Sequence, residues 1–197
     1  MQVRGRSLVL LAAMLALTPI AIGEAALAAD QVTFVPWKVL NPGDEPVHGD
    51  LILYWIPASR EEMRHSPLLT SHALAEYAGQ CIGMQVIRPD DVVMIRRLGA
   101  EGKLPAAVIT DAASTVLGSA FAEKGSLAAA PVEKLVRDTF ARADSDSDKL
   151  LDDAQARLAA GDRAAAAALY RRVLNQRCLF PRKAREAEKA LKKLGAM

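Results

Sequence analysis

The chain has 197 residues, with 25 basic and 23 acidic side chains and a net charge of +2. So even a balance argues against nucleic acid as a bulk electrostatic partner, and the length suits one compact domain with an appendage. Two cysteines, Cys81 and Cys178, and three scattered histidines, His48, His65 and His72, give no zinc-ligand spacing, so neither metal nor cofactor is expected.

Arg4 and Arg6 open the chain without an acid, residues 7–23 are almost wholly apolar, and Ala26-Leu27-Ala28 follows. Positive start, apolar middle and small-residue end are the three parts of a secretory signal peptide, so residues 1–28 are expected to be cleaved. The alternative is an uncleaved anchor. The run is a little short of the roughly 20 residues needed to span a bilayer, and Thr18, Pro19 and Gly23 interrupt it. Cleavage removes Arg4, Arg6 and Glu24, leaving a net charge of about +1. The expected location is periplasmic or secreted. Membrane contact would come only through an uncleaved leader or weak electrostatics.

Residues 32–40 are rich in β-branched and aromatic side chains and predict a strand, with Pro36 pointing to a sheet edge. A turn-rich loop, Asn-Pro-Gly-Asp-Glu-Pro, follows at 41–46. Residues 50–57 (DLILYWIP) form a continuous apolar run, the pattern of a strand buried on both faces. Residues 67–79 carry Leu68, Leu69, Ala73, Leu74 and Tyr77 at helical spacing. Residues 84–87 predict a short strand, and Asp90 or Asp91 caps a short helix bearing Val92, Val93, Ile95 and Leu98. Residues 106–110 and 115–121 predict two more strands joined by a turn at 111–114. Residues 131–142 form an amphipathic helix with Val132, Leu135, Val136 and Phe140 on one face.

The order is β, β, α, β, short α, β, β, α, and residues 31–142 resemble a thioredoxin-like domain. The apolar strand 51–56 runs into a loop and then a helix, as the active-site strand of that family does. Lys103-Leu104-Pro105-Ala106-Ala107-Val108-Ile109 resembles the family's cis-proline segment and the strand after it. The resemblance implies an α/β fold with a central mixed sheet and flanking helices. It also implies a peptide groove beside Leu104 and Pro105, where an extended partner pairs with the backbone. Laying Trp55 on the family's first active-site tryptophan puts Ser59-Arg60-Glu61-Glu62 where its Cys-x-x-Cys belongs. Disulfide exchange needs a thiolate, so Ser59 and Glu62 cannot perform the usual redox reaction.

Residues 143–149, including Asp144, Asp146 and Asp148, predict an acidic linker. Residues 150–160 and 163–176 predict two helices around a Gly161-Asp162 turn, and Pro181 opens a third, terminal helix. Leu158-Ala-Ala-Gly161-Asp162, followed by Ala166, Tyr170, Val173 and Leu174, resembles one tetratricopeptide-type hairpin, which makes 150–197 a helical tail. About one and a half units are too few for a self-standing array. The hairpin must therefore bury its face, Ala166 and Tyr170 included, on the preceding domain or on a partner.

Three fates are open for Cys81 and Cys178: a structural disulfide tying the first long helix to the tail, two unpaired thiols, or a redox pair acting catalytically through Cys81. Cys81 has no neighbouring base to lower its pKa, which disfavours reactivity. Asp144-x-Asp146-x-Asp148 starts like a calcium loop but has Lys149 for the glycine and Gln155 for the bidentate glutamate. Ser59, Glu61, Glu62, His65 and His72 could be arranged as a hydrolytic set, though no nucleophile-elbow glycines surround Ser59. The basic face of the last helix, with Arg182, Lys183, Arg185, Lys189, Lys192 and Lys193, reads as solvated, or as attractive to an acidic partner or anionic lipid. Taken together, the residues predict an exported, non-catalytic interaction or scaffold module of the bacterial envelope with an unidentified protein partner. The rival is a thiol-disulfide redox protein using Cys81 with Cys178.

Overall fold

Six consecutive apolar residues, Leu51–Ile56, form the central strand β2, and every one of them is buried. In the computed structural model, which describes residues 33–41, 43–44, 49–122 and 125–196, this strand has a neighbour on each side. The expected leader at 1–28 and His48 lie outside the described residues. Lys38–Leu40 (β1), Ile82–Ile87 (β3), Ala106–Asp111 (β4) and Val116–Phe121 (β5) complete a five-stranded mixed sheet in the order β1-β3-β2-β4-β5. β3 runs parallel to both β1 and β2, whereas β4 is antiparallel to β2 and to β5.

Strand alternation explains why β2 is apolar throughout. Leu51, Leu53 and Trp55 face one core, shared with Met84, Val86, Ile109, Val132 and Val136. Ile52, Tyr54 and Ile56 face the other, shared with Ile87, Ile95, Leu98 and Val108. Each side chain so buried contributes roughly 1.5–3 kcal/mol of transfer free energy, which is why no polar residue interrupts the run.

Helices cover both faces. Glu62–His65 (α1), a 3-10 turn at Pro67–Leu69 and His72–Gly79 (α2) follow β2, and Val92–Arg97 (α3) follows β3. The single helix expected over 67–79 is thus divided. Ser66 caps the 3-10 turn, and Ser71 caps α2 by accepting from the Leu74 amide. Asp91 caps α3 through the Met94 amide. The Leu104–Pro105 peptide at the entry to β4 is cis.

The largest departure from expectation is α4, a continuous helix from Ala129 to Ala159. It absorbs the expected helix at 131–142, the expected linker at 143–149 and most of the next helix. Ser and Asp form helices less readily than Ala by up to about 0.7 kcal/mol each, and tertiary packing overrides that preference. Val132, Val136, Thr139, Ser147, Leu151 and Ala154 make one buried stripe at helical spacing straight through the acidic run. Asp144 and Asp148, one turn apart, both hold Lys183 Nζ at 2.7 Å.

Arg163–Asn175 (α5) and Pro181–Leu194 (α6) fold back on α4. Gly161, at φ +82°, makes the left-handed turn between α4 and α5, and Asp162 caps α5 through the Ala165 amide. Leu151, Ala154, Ala166, Ala167, Tyr170, Val173, Ala187 and Leu191 form a third core within the helical tail. Leu179 and Phe180, between α5 and α6, enter the sheet's first core instead. A chain of tilted rings, Tyr77–Phe140 at 5.7 Å and Phe140–Phe180 at 5.2 Å, joins α2, α4 and the start of α6. Leu179 and Phe180 thus tie the tail to the sheet's first core, and the described residues fall in one compact unit.

Candidate functional site

The loop after β2 is held by its own polar groups. Ser59 Oγ accepts from the Glu62 amide at 3.2 Å. The Glu62 carboxylate accepts from the Ala58 amide at 2.8 Å with one oxygen and from the Leu127 amide at 3.1 Å with the other. This is a Ser-x-x-Glu arrangement related to a capping box, and it also ties the loop to the chain entering α4. The resemblance also makes Ser59 and Glu62 candidates for lining the peptide groove beside Leu104 and Pro105, and here their side chains accept from backbone amides. The imagined hydrolytic set does not form: His65 pairs with Glu61 at 3.0 Å and His72 with Glu76 at 3.4 Å, all on exposed helix faces.

Leu104 and Pro105 stand at the same end of the sheet, because the register places Ala106 opposite Ile56. The Pro105 carbonyl accepts from the Ala122 amide at 3.1 Å. The backbone N–H and C=O of Leu104, which is half-buried, have no hydrogen-bond partner among the described residues. On the other side of the loop, Arg60, Met63, Arg64 and Arg88 join Val39 in a concavity of about 350 Å³. Arg88 is paired with Asp90 at 2.6 Å, while Arg60 and Arg64 form no ion pair among the described residues.

The expected interaction face of the hairpin is corrected. Ala166 and Tyr170 are buried in the third core, covered by α4 and α6, and are not available to a partner. The extension of α4 through the acidic run supplies that cover. Burial also raises the pKa of the Tyr170 hydroxyl, with a smaller push from Glu186.

Cys81 and Cys178 form a disulfide with a Cα–Cα distance of 5.8 Å. Cys81, at φ 65°, follows the end of α2 at the mouth of β3, and Cys178 lies between α5 and α6. Of the three fates left open by the sequence, a bonded pair is the one found. The bond is not buried: Cys178 is exposed and Cys81 half-buried. It borders a concavity of about 850 Å³ at the end of the sheet opposite Pro105. Gly49, Asp50, Gly83, Arg97, Ser114 and Arg177 line the same space.

Asp50 is the unusual group there. Burial raises its carboxyl pKa above the usual aspartate value. Neither the Arg97 nor the Arg177 guanidinium has a carboxylate partner among the described residues. Sequence reading missed all three residues. They come from the strand entry, the end of α3 and the α5–α6 corner, and nothing in their local spacing announces that the fold will gather them.

The acidic run at 144–148 binds Lys183 and forms no calcium loop. Partial burial alone would lower the pKa of Lys183, but hydrogen bonds to Asp144 and Asp148 outweigh it and hold the pKa above the usual lysine value. Among the described residues no group of three or more His, Cys, Asp or Glu side chains is gathered for a metal ion, and no helix is long and apolar enough to cross a membrane. No protein-family model matches the chain, and no curated protein matches it.

Proposed function

We propose that this is an exported thioredoxin-like protein without the redox dithiol, acting as a non-catalytic interaction module that holds an extended, acidic segment of a protein partner in the bacterial envelope. The observation that carries the reading is the loop after β2. On the proposed resemblance it stands where the family carries its active site, and Ser59 and Glu62 spend their polar atoms on the backbone and supply no thiol. Support comes from the strand order with β2 at its centre, which agrees with that family's sheet. The backbone groups of Leu104, which have no hydrogen-bond partner among the described residues, offer an extended peptide a pairing site, and Arg60 and Arg64 offer it positive charge.

The test is a titration of the ¹⁵N-labelled exported chain with extended peptides of acidic and of basic composition, run alongside an insulin-disulfide reduction assay. Acidic peptides should shift the Leu104 amide and the 57–61 loop, Arg60→Glu/Arg64→Glu should abolish the effect, and insulin should not be reduced. Multiple-turnover reduction of insulin, or shifts confined to other surfaces, would overturn the proposal. The N-terminus of protein recovered from the envelope should lie at about residue 29.

A further inference from the structure

The end of the sheet away from Pro105 carries chemistry that the interaction reading does not use. Register places it: Leu51 at the start of β2 opposes Asp111 at the end of β4, roughly 17 Å along the strand from the Ile56–Ala106 pair. The disulfide there faces a concavity whose size falls in the ordinary range for small-molecule sites. Gly83, on β3, has no side chain to fill the space above Ile52, where an added Cβ would meet that isoleucine at 3.5 Å. Two guanidiniums without carboxylate partners among the described residues, Arg97 from α3 and Arg177 from the α5–α6 corner, stand at its walls. Cys178 is the more exposed of the two sulfur-bearing residues.

We propose that the Cys81–Cys178 disulfide is an exchange site for a small thiol bearing carboxylates, which Arg97 and Arg177 hold in the concavity with its sulfur against Cys178. This site is independent of the peptide site proposed at Leu104.

The reaction balances with the thiol alone as reductant. Its thiolate attacks Cys178 Sγ, a bond forms between the two sulfurs, the Sγ–Sγ bond breaks, and the electron pair leaves on Cys81 Sγ. That thiolate takes a proton from solvent, to which the concavity is open. A second thiolate attacks the small-molecule sulfur of the mixed disulfide and releases Cys178 as a thiolate, which is protonated from solvent. Two small thiols are thereby oxidised to their disulfide, and one protein disulfide is reduced to two thiols. The reverse sequence reoxidises the protein. Attack falls on Cys178 because access governs which sulfur is reached.

The experiment uses the exported chain in its oxidised form. Glutathione serves as the carboxylate-bearing thiol and 2-mercaptoethanol as the uncharged one, compared at equal thiolate concentration. Samples are quenched in acid and mass-mapped. The expected result is a mixed disulfide on Cys178, formed roughly tenfold faster with glutathione, as charge-assisted contacts to guanidinium warrant. The preference should shrink with added salt and vanish in Arg97→Ala/Arg177→Ala. It should persist in part in the lysine pair Arg97→Lys/Arg177→Lys. Both arginines are exposed, and a thermal melt of each variant confirms that it is folded. Equal rates for the two thiols, an adduct on Cys81, an unchanged preference in the alanine pair, or no exchange would each overturn the proposal.

Discussion

Replacing both cysteines, Cys81→Ser/Cys178→Ser, tests what the disulfide contributes to stability. The bond joins residues 97 positions apart. In the chain-entropy treatment, closing a loop of that size removes about 4.7 kcal/mol of conformational freedom from the unfolded chain at 25 °C, within the roughly 2–5 kcal/mol usual for loss of a native disulfide. The native corner should survive the change, because Leu179 and Phe180 are buried in the sheet's core and Phe140 still bridges Phe180 and Tyr77. Urea unfolding followed by far-UV circular dichroism should therefore show a lower midpoint with native spectra intact. The slope should rise modestly, since an uncrosslinked unfolded chain exposes more surface. A loss below about 1 kcal/mol would refute the reasoning, because a loop this long cannot be closed at so small an entropy cost.

Glu62→Ala strips the acceptor from two backbone amides, those of Ala58 and Leu127, and should cost about 1–3 kcal/mol in urea unfolding. A neutral result would mean that the carboxylate is free for another role. Gln85 is fully buried on the α3 side of the sheet, and both polar atoms of its amide lack a partner among the described residues. Gln85→Met, close in volume, should raise stability by about 1–3 kcal/mol by removing those polar atoms, and a drop in melting temperature would show that the amide is satisfied. For Asp50, burial raises the folded-state pKa above the unfolded value near 3.8, so folding favours the protonated carboxyl. That contribution is complete below the unfolded pKa and is lost as pH rises through the folded one, leaving the ionised group a cost at neutral pH. Asp50→Asn should thus be more stable than the parent at pH 7, with the gap closing as pH falls towards 4. A gap that widens on acidification contradicts the assignment.

The sheet was legible because its signals are local. A six-residue apolar run can be covered only from both faces, and Leu51–Ile56 is so covered. Asp91 before Val92 and Asp162 after Gly161 announce helix starts by the short reach of their carboxylates, and both caps are present. The acidic run at 143–149 misled for the same reason. Asp and Ser disfavour a helix locally, and the partners that reverse the balance, Lys183 for Asp144 and Asp148 and Gln176 for Ser147, lie some 30 to 40 residues later in the chain. Ala166 and Tyr170 had a visible apolar face, but its cover could not be known without knowing that α4 continues. The concavity was the least legible feature. Asp50, Arg97 and Arg177 are each unremarkable in sequence, and only the topology brings them together.

The two ends of this sheet have divided the requirements of stability and chemistry. At the Pro105 end Ser59 takes one amide and Glu62 two in holding the loop, so the recognition proposed there would fall to the Leu104 backbone and to Arg60 and Arg64. At the opposite end Asp50, Arg97 and Arg177 have no ionic partners among the described residues, and the exposed Cys178 carries one end of the disulfide. A purely structural bond gains nothing from exposure, whereas one that exchanges with an incoming thiol requires it. Leu179 and Phe180 already anchor the tail by burial. Opening the bond would therefore lower the stability of the corner without unfolding the tail, the condition under which a disulfide can be both a constraint and a reversible reaction site.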